Sequence, residues 1–293
     1  MDEAFNDEAS VGYVFDFRNS DVVVVDVMGA KIGPTVVPVL YRHDGTRTSI
    51  EGSAFCIASS PDSPQALYVT ARHVVEQLVP PRLGVEPFVL IPGNELHVDG
   101  ATPRYLHAVP IKHVTMAETY CDVAVLIVDR SDSPTEGIVP KTLRLSSSEP
   151  AVGEHCMALG YPQNVDELLY ILQASRGRIE EVHPRQRDSS LVDFPSFRTT
   201  GTYLPSMSGG PIVADDMDVI GVVSTGTDTA DGQPLGYGAC VASILELTVN
   251  MLDGNGVRRD FRIPDLLREG YIKRGDGDLE MTRTPGGVEL RWL

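Results

Sequence analysis

The chain has 293 residues, 42% of them hydrophobic, with 27 glycines and 21 prolines and no low-complexity tract. That length fits two small units sharing a core or one larger unit, and Gly and Pro dispersed this widely favour many short strands over long helices. A formal net charge of -17 argues against a phosphate-binding surface, because nucleic-acid affinity rests largely on Lys and Arg neutralising the backbone, so nucleic acid is not an expected partner.

Residues 1–26 carry seven acids against Arg18 alone, and residues 1–30 are expected to form an acidic extension. Its start has neither the basic residues nor the apolar run of a secretory signal, so export by that route is not expected. The apolar run Val22 to Val27 is interrupted by Asp26 and is far too short to cross a bilayer, so no membrane association is expected. It could instead add a strand to the edge of the fold. The cysteines Cys56, Cys121, Cys156 and Cys240 are widely spaced and form no C-x-x-C pair, which suits reduced, buried thiols in a cytoplasmic protein.

From Thr35 onward, short β-branched runs alternate with turn residues. T-V-V-P-V-L-Y is followed by a turn at Asp44-Gly45, then by T-S-I-E-G-S-A-F-C-I, a Pro/Ser loop and A-L-Y-V-T-A-R-H-V-V. P-F-V-L-I-P, R-Y-L-H-A-V-P-I-K-H-V and C-D-V-A-V-L-I-V continue the rhythm of a closed antiparallel barrel over residues 31–135. A polar connection between Asp129 and Gly153 reads as a linker.

The rhythm then restarts over residues 136–252. Strands are expected at H-C-M-A-L-G-Y, L-L-Y-I-L-Q-A-S-R-G-R-I, P-I-V-A, M-D-V-I-G-V-V-S-T and G-Y-G-A-C-V-A, with a short helix over Ser243 to Met251. Residues 253–293 read as an appendage: a basic pair, a helical stretch I-P-D-L-L-R-E-G that starts with proline, and a hairpin around T-P-G-G. With the N-terminal extension, this appendage is a candidate for docking a regulatory protein partner.

The most chemically suggestive stretch is L-P-S-M-S-G-G-P-I-V, from Leu204 to Val213. A serine on a tight Gly-rich turn presents a hydroxyl beside convergent backbone N–H groups, which is a nucleophile with an anion cradle. Such a hydroxyl attacks a carbonyl usefully only if a base takes its proton, and that base works best with its tautomer fixed by a third group. Of the seven histidines, His73 stands apart, since it leaves an apolar strand and opens a helical turn. Asp122 opens the apolar strand V-A-V-L-I-V, where a part-buried carboxylate needs a hydrogen-bonding partner such as an imidazole N–H. Its neighbour Cys121 points to the opposite face by strand alternation and is not the expected nucleophile. His155 and Cys156 are neighbours on an expected strand and point apart, so neither a metal nor a cofactor is expected.

These residues resemble the chymotrypsin-like (trypsin-fold) serine proteases, particularly the bacterial trypsin-like peptidases that include the HtrA proteases. The resemblance rests on G-S-A-F ahead of T-A-R-H-V-V, on D-V-A-V-L, and on S-M-S-G-G-P, in that order. His73 and Asp122 lie 49 positions apart, and Asp122 and Ser208 lie 86 apart. It covers roughly residues 30 to 252.

The resemblance implies an all-β fold of two antiparallel six-stranded barrels with a short C-terminal helix and appended extensions. It further implies a serine endopeptidase acting on protein or peptide substrates, with Ser208 as nucleophile, His73 as general base and Asp122 as orienting carboxylate. The amides of Ser206 and Ser208 would form an oxyanion hole. Ser224, Thr225 and Gly226 would pair with an extended substrate, Ser224 would also sit beside Asp122, and Thr202 would lie at the base of the primary specificity pocket.

Three departures from the family pattern qualify this. Thr202 stands where an acidic residue would bind Lys or Arg, so cleavage after a small or medium uncharged residue is expected. Met207 replaces the aspartate that captures a new N-terminal amine in the digestive branch. Ser206 replaces a glycine, and a left-handed backbone there would cost about 1 kcal/mol relative to glycine, which suggests a resting enzyme regulated by oxyanion-loop ordering or by a partner. The alternative from another functional class is a catalytically silent protease-fold binding module.

Overall fold

The computed structural model describes residues 22–25, 35–43, 47–78, 84–92, 106–116, 121–131, 139–146, 148–163, 172–188, 192–228, 234–253, 256–275, 279–284 and 287–292. Most of the acidic extension expected over residues 1–30, and the turn expected at Asp44-Gly45, lie outside the described residues.

Strand β1 (Val22–Val25) is followed by β2 (Val36–His43), β3 (Arg47–Ser60), β4 (Ser63–Thr70), β5 (Val85–Pro92), β6 (Leu106–Met116) and β7 (Ala124–Asp129). Strands β2 to β7 close into an antiparallel barrel in the order β2-β3-β4-β7-β6-β5. Cross-strand pairs of large apolar residues set its register: Phe55 faces Val69, Val69 faces Val125, and Leu67 faces Ile127. All are essentially inaccessible to solvent. Each such side chain contributes about 1.5–3 kcal/mol on burial, and a one-residue slip would turn these side chains to the wrong face.

A second closed barrel is built from β8 (His155–Gly160), β9 (Leu172–His183), β10 (Ser196–Thr199), β11 (Pro211–Val213), β12 (Val219–Asp228) and β13 (Pro234–Cys240). β1 adds to the outer edge of β9, pairing Val22 with Ser175 and Val25 with Leu172, as its short β-branched run suggested. The protein is therefore all-β with two six-stranded antiparallel barrels. In β12 the register shifts between Val223 and Thr225, so Ser224 is the extra residue of a β-bulge, a device that re-aims a side chain.

Three local outcomes differ from the sequence expectation. β10, S-F-R-T, was not anticipated, because it is short and half polar. Helix α1 (Arg72–Val75) follows β4 as expected, but the helix expected over Ser243 to Met251 is only α2 (Ala242–Leu245). From Thr248 the burial alternates, with Thr248 and Asn250 exposed and Val249 buried, and β14 (Thr248–Leu252) pairs with β15 (Arg258–Arg262). The hairpin outweighs the weak helical pattern by satisfying the backbone of both strands.

Helix α3 (Ile263–Arg268) then packs Ile263, Leu266 and Leu267 into the same core as Val219 and Leu145. Beyond it, Leu145 donates its amide to Lys273 and accepts from Gly275, so this stretch lies as a strap along the linker. A hairpin of β16 (Leu279–Thr284) and β17 (Gly287–Trp292) follows, matching the expectation around T-P-G-G. Cys56, Cys121, Cys156 and Cys240 are all buried and free of disulfides, and among the described residues no helix is long and apolar enough to cross a membrane.

Among the described residues the largest fully buried side chain is Arg130. Its Nε donates to the Pro64 carbonyl at 3.1 Å, and its Nη2 to those of Ser63 at 2.7 Å and Ser60 at 3.3 Å, which gathers the β3–β4 turn around one guanidinium. Arg130→Met, which keeps the stem but orphans these carbonyls, should lower stability by roughly 3 kcal/mol. The check is urea unfolding, with a lower midpoint at unchanged slope.

Candidate active site

The seam between the barrels holds a cavity of about 660 Å³ bordered by His73, Asp122 and Ser208 together with Thr202 to Pro205 and Ser224 to Gly226. His73 comes from α1, immediately after β4. Asp122 lies two residues before β7, and Ser208 sits in the turn before β11. The structure thus brings the three expected side chains from three separate segments onto one cavity.

Asp122 is nearly inaccessible, at 6% exposure, and its oxygens are well occupied. Oδ1 accepts from the His73 amide and from His73 Nδ1, both at 3.0 Å, while Oδ2 lies 2.9 Å from Nδ1 and accepts from Ser224 Oγ at 2.5 Å. The Ser224 bulge is what aims that hydroxyl at the carboxylate. An Nδ1–H directed at Asp122 leaves Nε2 as the proton acceptor of the neutral ring.

Burial alone would raise the Asp122 pKa, but the hydrogen bond and charge of His73, with help from Ser224 and the His73 amide, hold it below the ordinary carboxylate value. Burial would lower the His73 pKa, but the hydrogen bond and charge of Asp122, and then Glu76, carry it above the ordinary imidazole value. The imidazole is held on one side while its side chain stays 47% exposed. Burial pushes the Cys121 thiol up, which keeps it neutral and unreactive.

Ser208 Oγ donates to the Ser224 carbonyl at 2.9 Å, and among the described residues no hydrogen bond joins it to His73. Ser206, two residues earlier, has φ +68°, and Gly209 has φ +87°. The Leu204–Met207 turn is closed by Met207 N donating to Leu204 O at 3.1 Å. The Pro205 carbonyl accepts from Gln163 N at 3.0 Å, and the Met207 carbonyl from Gly210 N at 3.0 Å.

In a trans peptide the C=O and N–H point in opposite directions, so the amides of Ser206 and Ser208 point away from those partners. Neither amide donates to another protein group among the described residues. Both N–H groups are thus left without a protein acceptor, and they are the donors that the resemblance assigns to an oxyanion hole. Met207 is wholly buried and packs in the second-barrel core with Phe197, Ile212 and Val223, anchoring the turn from below.

The left-handed Ser206 is held by the first barrel. Its Oγ donates to Ile50 O at 3.3 Å, and its carbonyl accepts from Ser53 Oγ at 2.9 Å. Thr202, Ser224, Thr225 and Gly226 all border the cavity. β11 pairs with β12 only as far as Val222, whereas β13 pairs with β12 to its end, so Ser224 to Gly226 present an edge beside the cavity.

Several bordering residues were not singled out from sequence, Tyr203 and Arg187 among them. Tyr203 borders the cavity, and the Arg187 guanidinium stacks 4.9 Å from the Tyr237 ring centroid. Neither carries a local motif, because each acquires its role only from strands that meet in the fold. Among the described residues no group of three or more His, Cys, Asp or Glu side chains is arranged to hold a metal ion.

Residues 52–222 match the family described as the trypsin-like peptidase domain. Among solved structures the chain is similar to the active form of the Rv3671c protease from M. tuberculosis, with 19% identity and a TM-score of 0.47, covering 72% of this chain and 78% of that one. It is also similar to the inactive form of Rv3671c, a serine-to-alanine mutant, with 20% identity and a TM-score of 0.45, covering 74% of this chain and 88% of that one. None of the curated proteins matches it.

The electrostatic coupling at the site is directly measurable. Asp122→Asn removes the charge that holds the His73 pKa up while burial still pulls it down, so the imidazole should titrate at lower pH than in the wild type. An NMR titration of the His73 ring checks this, and an unchanged midpoint would contradict it.

Proposed function

Because the chain belongs to the trypsin-like peptidase domain family, we propose that it is a serine endopeptidase working through a Ser208-His73-Asp122 triad and an acyl-enzyme. The observation that carries the reading is a half-exposed imidazole, fixed through Nδ1 by a buried carboxylate, on the same cavity as a serine flanked by two free amides. In this mechanism Nε2 of His73 takes the Ser208 proton as Oγ bonds to the scissile carbonyl carbon. The carbonyl electron pair moves to oxygen, and the amides of Ser206 and Ser208 stabilise that oxyanion. Collapse expels the amine, which takes its proton from His73, and water then repeats the sequence on the ester.

The substrate would lie as an added strand along Ser224 to Gly226. Its backbone N–H would compete for the Ser224 carbonyl that now accepts from Ser208, and the freed hydroxyl could rotate to His73. Substrate binding would therefore also arm the nucleophile. Regulation follows from the same turn. The left-handed Ser206 carries about 1 kcal/mol of backbone strain and is held by hydrogen bonds to Ile50 and Ser53 in β3, so a partner that shifts β3 would loosen or tighten the oxyanion site. Proteins or peptides are the partners this reading implies, in a cytoplasmic setting.

A second reading, a silent binding module, is favoured by the direction of the Ser208 hydroxyl toward Ser224 rather than His73. A fluorophosphonate probe separates the two. The endopeptidase reading expects labelling at Ser208, its loss in Ser208→Ala, and a slowing of about a thousandfold in His73→Ala; an unlabelled wild type supports the silent module.

The labelling rate should also rise with pH as His73 loses its proton, since only the neutral ring accepts one. With its pKa held up by Asp122, the midpoint should lie above the usual imidazole value of about 6.5. A rate profile against pH gives this midpoint, and one below the usual value would count against the coupling.

A further inference from the structure

Three glycines from three different segments pack against Tyr203, which borders the cavity. A Cβ at Gly236 would lie 2.6 Å from Cε2 of Tyr203, one at Gly201 would lie 3.1 Å from Cε1, and one at Gly226 would lie 2.7 Å from the Tyr203 carbonyl oxygen. The space left by Gly201 and Gly236 is therefore filled by the Tyr203 ring, and that left by Gly226 by the Tyr203 backbone and Cβ. Its Oη lies 2.9 Å from Thr199 Oγ1, and that Thr199 oxygen also accepts from Gly201 N at 3.2 Å. The phenol is pinned at its far end, and burial pushes its pKa up, so it stays neutral. One face of the residue borders the cavity that contains Ser208.

We infer that Tyr203 is the floor of the side-chain pocket beside Ser208 and confines cleavage to bonds that follow a small uncharged residue. The inference rests on the endopeptidase reading and gives it a substrate class. A side chain bound between Thr202–Pro205 and Ser224–Gly226 meets the Tyr203 ring where a deeper pocket would continue. Large aliphatic or aromatic groups would have to displace a ring that is hydrogen-bonded at Oη and packed against glycine backbone.

Charge points the same way. Among the described residues bordering the cavity the only carboxylate is Asp122, and it is already engaged by His73 and Ser224. A Lys or Arg side chain would be desolvated without a counter-charge. The one cationic side chain there besides His73, Arg187, stacks on Tyr237 and lies 3.2 Å from Asp188.

The experiment is a peptide-library digestion with fragments read by mass spectrometry, run on the wild type, Tyr203→Ala and Tyr203→Phe, with a separate aliquot of each treated with the fluorophosphonate to confirm a competent site. Cleavage by the wild type should follow Gly, Ala or Ser. Tyr203→Ala should gain about tenfold or more in kcat/KM for Leu, Met or Phe relative to Ala, the scale of a few methylenes in an apolar pocket. Tyr203→Phe keeps the ring and should retain the wild-type profile.

A wild type whose separate aliquot labels and which cleaves after Phe, Leu, Lys or Arg as readily as after Ala overturns the inference, whether or not the variants fold. So does an active Tyr203→Ala with an unchanged profile. A wild type that does not label at all removes the endopeptidase reading itself, and the pocket assignment with it.

Discussion

Ser53 is where the two barrels are tied to the turn that carries Ser208. The residue is wholly buried, and its polar groups are all used. Its amide donates to the Ser208 carbonyl at 2.7 Å, its carbonyl accepts from Thr70 Oγ1 at 2.7 Å, and its Oγ donates to the Ser206 carbonyl at 2.9 Å while accepting from Tyr161 N at 2.8 Å. Thr70 ends the strand that delivers His73, and Tyr161 follows β8 of the second barrel. Away from water each bond contributes about 1 kcal/mol net, but losing one leaves a buried group orphaned at greater cost. The position of Ser208 relative to His73 is thus set by a satisfied polar node rather than by the apolar cores alone.

That node leaves no room for side chains beside it. A Cβ at Gly209 would lie 2.2 Å from the Ser53 carbonyl oxygen, and one at Gly52 would lie 2.8 Å from the Ser208 carbonyl oxygen. The glycines flanking the two halves of the node are therefore there for close backbone approach, and the φ of +87° at Gly209 adds a conformational reason. Ser206, which has a side chain and a left-handed backbone, takes its place in the same turn only because Ile50 and Ser53 hold it.

Much of this architecture could be read from the order of residues. β-Branched runs punctuated by Gly, Pro and Asp mark most of the barrel strands, and the strings around His73, Asp122 and Ser208 mark their places on strand ends and turns, which fold onto one cavity. The sequence pattern misses features whose causes are not local. S-F-R-T becomes β10 because β9 and β13 are waiting on either side of it. Residues 248–252 become a strand because Arg258–Arg262 supplies a partner.

The same holds within the site. The contacts that define Ser53 reach along the chain as far as Ser208, and the ring of Tyr203 matters only because Gly201 and Gly236 meet around it. The resemblance implies Thr202 as the base of the pocket, and Thr202 borders the cavity. The side chain proposed to limit depth is its neighbour Tyr203, which no spacing rule distinguishes.

Ser224 links the two halves of the chemistry. Its hydroxyl satisfies Asp122 and its carbonyl satisfies Ser208, so one bulged residue of β12 serves the carboxylate and the proposed nucleophile at once. Without the bulge, strand alternation would fix the direction of the side chain by that of its neighbours, and the hydroxyl could not be re-aimed independently. With it, the carboxylate can remain charged in a buried position while the backbone edge stays open toward the cavity. A peptide strand laid on that edge would reach the Ser224 carbonyl without disturbing the Ser224 hydroxyl. The orienting half of the site can therefore stay fixed while the hydroxyl of Ser208 changes partner.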